Sequence, residues 1–189
     1  FRSDAAAVLS NMAVASTGMG CFSEAEAQYR ESRRLAADAG MRALCAELDY
    51  NIAYLWFLRG DYREAIRLYR LARQESEAAG DAYHSALCDL DMAELYLDLN
   101  LYDESHLRSK RAAQAFNLLR MDHERAKALT FQAIATHRLG GSRRAVALLA
   151  TARELFCAGR NSVWPAVTDY YRAILLHDLG QTQPALRIC

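Results

Sequence analysis

The amino-acid sequence predicts an all-α protein, an α-solenoid of about four and a half stacked helical hairpins with a 40-residue period. Three observations indicate this fold class. Only two prolines occur in 189 residues, which favours long uninterrupted helices. Glycine or a substitute recurs at a constant interval of 40 residues. Between these positions apolar residues follow the three-and-four spacing of one helix face.

One column of the repeat marks the turn inside each hairpin. Glycine, or asparagine as its best substitute at a left-handed backbone position, fills this column at Gly20, Gly60, Asn100, Gly140 and Gly180. A second break, between hairpins, recurs at Gly40, Gly80 and Arg120, and near Gly159 and Arg160. The first helix of each hairpin is therefore expected to end at the first column, and the second helix at the next break.

Small residues form three further columns. They are Ala13, Ala53, Ala93, Ala133 and Ala173 before the turn, Ala25, Ala65, Ser105, Ala145 and Ala185 after it, and Ser32, Ala72, Ala112 and Ala152 later in the second helix. Paired helices approach closely only where no bulky side chain intervenes. We expect these columns to be the seams of the hairpins, with Tyr29, Tyr69 and Leu149 filling the space beside them.

The second helices begin within two residues of the turn. In the second repeat Asp61 can cap the helix, with Glu64 three positions later. We expect one domain of five repeats at residues 1–40, 41–80, 81–120, 121–160 and 161–189, the last one truncated. The chain opens inside an apparent helix and stops early in another, so we expect a segment of a longer protein whose truncated repeat frays or pairs with a second copy.

Composition excludes several classes of function. Lysine plus arginine equals aspartate plus glutamate at 23 each, which gives no net field for nucleic acid or a membrane surface. Five cysteines, with no C-x-x-C pair, favour a reducing cytoplasm. No signal peptide, long apolar run, nucleophile elbow, phosphate loop or zinc-helix motif is present. The sequence therefore predicts no catalytic residue, cofactor or metal ion.

The repeat resembles a known family, the tetratricopeptide repeat. The residues that carry the resemblance are Ala53, Gly60, Tyr62, Ala65, Tyr69 and Ala72, and equivalent positions extend over essentially the whole chain. The resemblance implies a right-handed superhelix that serves as a protein-interaction scaffold.

Two departures from the family pattern refine this interpretation. The period is 40 residues rather than the usual number of about 34, and aspartate stands where a large apolar residue is expected. The lengthened units resemble bacterial arrays that precede caspase-like CHAT peptidase domains or are attached to regulatory ATPases. The stretch ALCDLDMAELYLDLN at 86–100 is most similar to the CHAT-associated kind.

The unusual aspartates suggest ion pairs between successive repeats. An arginine precedes each aspartate by 16 residues, which gives the pairs Arg33 with Asp49, Arg73 with Asp89, and Arg153 with Asp169. The copy that lacks the acid, at Leu129, has Ala113 at the arginine position. Antiparallel helices folding back at the inter-repeat turns would bring these residues face to face. We therefore predict partly buried Arg-Asp bridges, replaced once by an apolar contact.

The resemblance also implies a binding groove lined by the first helices. The partner-binding candidates are Asn11, Tyr50, Asn51, Tyr54, Phe57, Leu90, Asp91, Glu94, Asp98, Thr130, Ile134, His137, Arg138, Tyr170, Ile174 and His177. Aromatic area with scattered polar groups is typical of a surface for a peptide or partner domain. In the family some asparagines at the column of Asn11 and Asn51 bind a peptide backbone.

Three functions remain open from the sequence. The first is a protein-interaction scaffold, and the second is an array that senses a small ligand for a transcription or ATPase regulator. The third is a metal-dependent enzyme that uses His137 and His177, which occupy one column in adjacent repeats. Adjacent first helices lie about 10 Å apart, which disfavours a shared metal ion. Asp98, Arg138 and Asp178 also share a column and suggest an alternating charge row.

Overall fold

The computed structural model describes residues 2–159 and 163–188, and this part of the chain is helical with short turns and contains no strand. Its helices are α1 (Arg2–Gly18), α2 (Phe22–Asp38), α3 (Arg42–Leu58), α4 (Tyr62–Ala79), α5 (Ala82–Asp98), α6 (Tyr102–Leu118), α7 (Asp122–Arg138), α8 (Ser142–Ala158), α9 (Trp164–Asp178) and α10 (Thr182–Leu186). The predicted all-α fold is confirmed. Arg160 and Cys189, which the sequence analysis also considered, lie outside the described residues.

The helix boundaries follow the 40-residue period. The second helices of the hairpins begin at residues 22, 62, 102, 142 and 182, and the first four first helices begin at 2, 42, 82 and 122. The last first helix starts later, at Trp164, with Pro165 in its opening turn. Proline suits this position because the first turn of a helix leaves its N–H groups without intrahelical acceptors.

The turns owe their shape to a residue with positive φ at 20-residue intervals. Glycine takes this conformation at Gly60, where φ is 77°, and Asn100 and Arg120 take it with φ of 58°. At each such turn the next N–H donates to a carbonyl five residues back, as from Asp61 to Trp56 at 3.2 Å. This is the hydrogen bond of a Schellman motif. Gly159 differs, because its φ is −77°.

The helix cap predicted at Asp61 is present, but the reciprocal hydrogen bond from the Asp61 N–H to the Glu64 side chain does not form. The Asp61 carboxylate accepts a hydrogen bond from the Glu64 N–H at 3.1 Å. The Asp61 N–H already donates to the Trp56 carbonyl, so it offers nothing to the Glu64 side chain. That carboxylate instead accepts two hydrogen bonds from Arg67, at 2.6 and 2.8 Å. The hydrogen bond of the turn therefore engages the Asp61 N–H, which would be the donor to Glu64 in a capping box.

The chain divides into two compact units, residues 1–88 and 89–189, and each is described by itself. In unit 1, α1 packs on α2, α2 on α3, and α3 on α4. Its core combines buried alanines with larger side chains, among them Tyr29, Leu48, Ile52 and Leu55. Small residues on one helix thus face large ones on the next, which lets neighbouring helices interlock.

Unit 2 contains the end of α5 and the helices α6 to α10. Helix α7 packs on α6, α8 and α9, and α9 also packs on α8 and α10. Ala133, Ala145, Leu149 and Leu175 are buried together at its centre. Phe116 and Phe156 are also fully enclosed.

The small-residue columns lie in the interior of the protein. Every alanine in them is buried, including Ala53 and Ala65 with no exposed surface. Serine replaces alanine at two of these positions and finds a backbone acceptor on the facing helix. The Ser32 hydroxyl donates to the Ala6 carbonyl at 2.7 Å, and the Ser105 hydroxyl to the Ala93 carbonyl at 2.9 Å. A buried hydroxyl is tolerated there because its hydrogen bond offsets desolvation.

Ion pairs join successive hairpins within each unit. Arg33 Nε lies 3.0 Å from Asp49 Oδ1, and Arg153 Nε lies 2.7 Å from Asp169 Oδ2, as the 16-residue spacing predicts. Asp89 is buried and binds Arg108 at 2.7 Å, a partner that the sequence analysis did not foresee. Its predicted pairing with Arg73, a residue of the other unit, stays a prediction.

Candidate functional site

Unit 1 carries a continuous row of aromatic side chains along α3. The row, called here the aromatic row, consists of Tyr50, Tyr54 and Phe57 on α3 and Tyr62 at the start of α4. Neighbouring ring centroids are 6.4, 6.1 and 5.9 Å apart. The rings of Tyr50 and Tyr54 are nearly parallel, with 9° between their planes. One turn of helix separates successive α3 members, so the helical repeat itself aligns these rings.

The first turn of α5 continues this aromatic surface within unit 1. The His84 ring lies 6.0 Å from the Tyr50 ring and 5.0 Å from the Tyr83 ring. Asp81 caps the helix through the His84 N–H at 3.0 Å and binds the His84 Nδ1 at 2.8 Å. Burial raises the pKa of Asp81, but the hydrogen bonds from His84 outweigh it and hold the pKa below its ordinary value. The imidazole is thereby fixed beside the row.

Two asparagines in unit 1 present side-chain amides without a partner among the described residues. Asn11 is exposed on α1, and Asn51 is half-buried on α3, one turn before Tyr54. Val14, on α1, is also exposed. Each amide offers two donors and an acceptor oxygen. These groups can hydrogen-bond the peptide groups of a bound chain.

Unit 2 presents a charged surface on its part of α5. Asp91, Glu94 and Asp98 lie at intervals of three and four residues, on one helix face. Burial raises the pKa of Glu94, the charge of Asp91 raises it further, Lys127 lowers it, and Asp98 raises it. The net result is a pKa above the ordinary value. The Lys127 ammonium also lies 5.3 Å from the ring centroid of Trp164.

His137 joins three helices of unit 2. Its Nδ1 lies 2.9 Å from the Ser142 hydroxyl at the start of α8, and its Nε2 lies 3.2 Å from Asp178 Oδ2 on α9. The His177 ring is 71% exposed and lies 3.6 Å from the same aspartate. Within residues 2–159 and 163–188 no group of three or more metal-binding side chains is found. Both ring nitrogens of His137 have polar partners, so this side chain links α7 to α8 and α9.

The remaining groove candidates of unit 2 lie mainly on the exposed face of α9. Tyr170 is 64% exposed and its ring meets Tyr171 edge-on at 5.4 Å, while Ile174 is exposed one turn later. Arg138, on α7, stacks its guanidinium 6.0 Å from the Tyr102 ring centroid. Asp178 pairs with His137, and the alternating charge row of Asp98, Arg138 and Asp178 stays a prediction.

Two of the predicted groove residues belong to the core. Leu90 is 3% exposed and Thr130 is 1% exposed, so neither can contact a partner. The Thr130 hydroxyl donates to the Ala126 carbonyl of its own helix at 2.9 Å, which satisfies it inside the protein. This part of the prediction is wrong, because packed neighbouring side chains cover both residues.

Sequence reasoning also missed members of these surfaces. Tyr62, Tyr83 and His84 extend the aromatic surface of unit 1 although they lie outside the predicted groove columns. Lys127 is the cation beside Glu94 in unit 2. Tyr62 belongs to a second helix, Tyr83 and His84 to the opening turn of α5, and Lys127 to the second turn of α7. The predicted groove columns, which come from the later part of the first helices, could not include them.

Comparison with known proteins identifies the fold. No protein-family profile matches the chain, and no curated protein sequence matches it. Among solved structures, BtubC (BKLC) from P. vanneervenii is similar with a TM-score of 0.83 and 18% identity, over 95% of this chain and 75% of that one. The chain is also similar to a Signal Transduction ATPase with Numerous Domains from Pyrococcus horikoshii that has a tetratricopeptide repeat sensor. That TM-score is 0.83 at 13% identity, over 99% of this chain and 30% of that one.

A third similar structure contains a bound factor. It is a Rap protein complexed with competence and sporulation factor, with a TM-score of 0.74 and 13% identity, over 95% of this chain and 50% of that one. The chain thus spans half or less of the length of the latter two proteins. At these identities the likeness shows the fold alone, which is that of tetratricopeptide-repeat proteins. No described helix is both long and apolar enough to cross a bilayer.

Proposed function

We propose that this chain is a non-catalytic interaction module that binds a peptide or partner domain on the exposed surface of its first helices. The observation that carries the proposal is the aromatic row, whose member Tyr54 remains 37% exposed beside the unengaged amide of Asn51. Aromatic side chains give large contact area at low entropic cost, and adjacent amides set the register of a bound chain.

The fold supports this proposal. Helical-hairpin repeats present extended surfaces to other proteins, and the similar Rap protein is solved in complex with competence and sporulation factor. In unit 2, exposed Tyr170 and Ile174 add apolar area next to charged groups. We propose that these residues form a separate binding surface of unit 2.

Photo-crosslinking tests the proposal directly. Benzoylphenylalanine is placed at Tyr54 or Ile174 and, as a matched control, at Leu107, which is 48% exposed on the second helix α6. After irradiation in cells that produce the protein, mass spectrometry of the adducts should find a crosslinked polypeptide at each of the first two positions. Equal crosslinking from Leu107, or no polypeptide at all, would contradict the proposal. An exclusively small-molecule adduct would support the alternative, a ligand-sensing array.

We further propose that the module works in the cytoplasm as part of a larger bacterial signalling protein. Cys21, Cys45 and Cys157 form no disulfide in the part of the chain that the structure describes, which suits a reducing compartment. The similarity to 30% of a signal-transduction ATPase supports attachment to an effector, and residues 86–100 resemble CHAT-associated repeats. The sequence of the complete gene tests this, because it reveals whether a peptidase-like or ATPase domain is encoded with the repeats.

A further inference from the structure

The second helices of unit 1 border a groove whose lining is rich in arginine. The groove has a volume of about 370 Å³ and is lined by residues of α2, α3 and α4. Its main residues, called here the arginine groove, are Arg30, Arg33 and Arg34 on α2, Arg67 on α4, and the apolar Leu68 and Leu71. Among the described residues that line it, Asp49 is the one acid, and it binds Arg33. A neighbouring depression on α4 shares Arg67 and Leu71 and adds Arg63 and Arg70.

We propose that the arginine groove is a docking surface for an acidic segment of a partner protein, in which aspartate or glutamate residues flank a bulky apolar side chain. The carboxylates of this segment bind the arginines, and its apolar side chain covers Leu68 and Leu71. This surface belongs to the second helices and is separate from the first-helix surface of unit 1. The two surfaces can therefore be tested independently.

The repeat itself does not require these arginines. Six positions on the second helices of unit 1 carry Arg30, Arg33, Arg34, Arg63, Arg67 and Arg70. Eighty residues later, in unit 2, the same positions carry Lys110, Ala113, Gln114, Arg143, Ala147 and Ala150. Two of these six are basic, yet α6 and α8 are each helical over 17 residues. Helix formation therefore does not depend on arginine at these positions, which favours a role in recognition.

The guanidinium groups keep exposed surface and unused donors. The side chains of Arg30, Arg34 and Arg67 are 62%, 59% and 60% exposed. Arg30 donates to Glu26 through Nε and Nη2, and Arg67 donates to Glu64 through the same two nitrogens. In the part of the chain that the structure describes, Nη1 of both arginines has no acceptor. A guanidinium has five N–H donors and matches a carboxylate bidentately, so each can bind a further carboxylate.

The acids that already pair with the exposed arginines can be displaced. They are Glu26, Glu31, Asp38 and Glu64, which lie three or four residues from their arginines on the same helices and do not line the groove. Ion pairs of this kind contribute little, because water solvates both charges. A carboxylate of the partner can therefore join or replace such an acid at small cost. Asp49 differs, since both of its oxygens accept hydrogen bonds from Arg33.

Apolar area distinguishes the arginine groove from a site for a bare polyanion. Leu71 is 46% exposed, and Leu68, three residues earlier on α4, is half-buried. A phosphate backbone offers no apolar side chain to cover this area, whereas an acidic protein segment offers carboxylates and apolar side chains together. The chain also has no net charge that would draw it to nucleic acid or to an anionic membrane. These features favour a protein partner.

Phage display provides the test. A random dodecapeptide library is selected on the immobilised chain and counter-selected on the triple variant Arg30→Gln, Arg34→Gln and Arg67→Gln, whose helical content is checked by circular dichroism. Peptides that bind the first-helix surface also bind this variant and are removed. We expect the remaining sequences to carry several acidic residues around a leucine, isoleucine, methionine or phenylalanine. Enrichment of neutral or basic sequences, or of none, would overturn the inference and leave the proposed function intact.

Fluorescence polarisation with the best peptide, labelled with fluorescein, separates the charged and apolar contributions. The triple variant of the groove should weaken binding about tenfold or more, and Leu71→Ser about threefold or more. One matched control is the triple variant Lys110→Gln, Arg143→Gln and Arg144→Gln, which removes the same charge from α6 and α8. The other is Leu107→Ser, at a leucine of α6 that is 48% exposed. Both controls should leave the dissociation constant unchanged. Equal weakening by the charge control, or full binding by Leu71→Ser, would refute the proposal.

Competition with other anions completes the test. Vesicles of phosphatidylcholine and phosphatidylserine, and single-stranded DNA, are added to the labelled complex at physiological salt. We expect neither to displace the peptide, and we expect peptide binding to weaken as the salt concentration rises, because the arginines are exposed. Displacement by either anion, or binding that does not respond to salt, would overturn the assignment to an acidic protein segment.

Discussion

Substitution of Gly60 by alanine isolates the cost of the left-handed turn on which the hairpins depend. Gly60 has φ of 77°, and a Cβ added there meets no atom within 4 Å. Steric clash is therefore absent, and only the backbone conformation opposes the change. That conformation costs an L-residue about 1–2 kcal/mol, whereas the stiffer unfolded chain returns about 0.4–1 kcal/mol. We expect a net loss of about 1 kcal/mol in the free energy of unfolding.

Unit 1 must be observed separately, because the chain has two compact units and need not unfold in one step. The protein has two tryptophans, Trp56 in unit 1 and Trp164 in unit 2. In a Trp164→Phe background, tryptophan fluorescence during urea unfolding reports on Trp56 alone. For a loss of this size the midpoint should fall by about 0.3–1 M urea.

The matched control is Gly60→Asn. Asparagine already occupies the equivalent turn at Asn100, with φ of 58°, so the structure itself shows that this residue is accepted. Asparagine visits the left-handed region more readily than alanine does. We expect it to cost no more than about 0.5 kcal/mol. An alanine variant as stable as the parent, or an asparagine variant as unstable as alanine, would refute the reasoning from backbone conformation.

Three further changes test other parts of the structure. Gly141→Ala places a Cβ 2.8 Å from Thr136 Cγ2, and the Thr136 hydroxyl is held by a 2.6 Å hydrogen bond, so overpacking should cost about 1–3 kcal/mol in urea unfolding. A double-mutant cycle of Arg33→Met and Asp49→Asn should give a coupling free energy of about 1 kcal/mol, because the Arg33 side chain is 34% exposed and the Asp49 side chain 21% exposed. A coupling free energy above about 3 kcal/mol would contradict partial solvation of this pair. The pKa of Glu94 is raised in the folded protein, so the folded protein loses stability as the pH rises above the ordinary pKa of 4.5 and this carboxyl ionises. The variant Glu94→Gln should therefore raise the urea midpoint at pH 7 and leave it unchanged at pH 3.

The repeat architecture was predictable because it depends on local chemistry that the sequence displays. A left-handed turn requires glycine or asparagine, and a close helix seam requires a small side chain, so both leave periodic columns such as those of Gly60 and Ala65. The 16-residue spacing of Arg33 and Asp49 follows from the same hairpin geometry, and the two residues lie within salt-bridge distance.

Packing between helices decided what the columns could not. Leu90 and Thr130 share a groove column with exposed Tyr170 and are nonetheless buried, because exposure depends on which neighbouring side chains cover a position. The predicted hydrogen bond from the Asp61 N–H to the Glu64 side chain does not form, because this N–H already donates to the carbonyl of the preceding turn. Competition for one donor is visible only in three dimensions.

For this protein the sequence alone determined the class of fold, the hairpin period and the small-residue seams, because each depends on residues close together along the chain. Only the tertiary structure decided which groove candidates reach solvent, that Arg108 binds Asp89, and that the rings of α3 form a continuous row. These features depend on contacts between helices, where side-chain size, burial and hydrogen-bond competition act together.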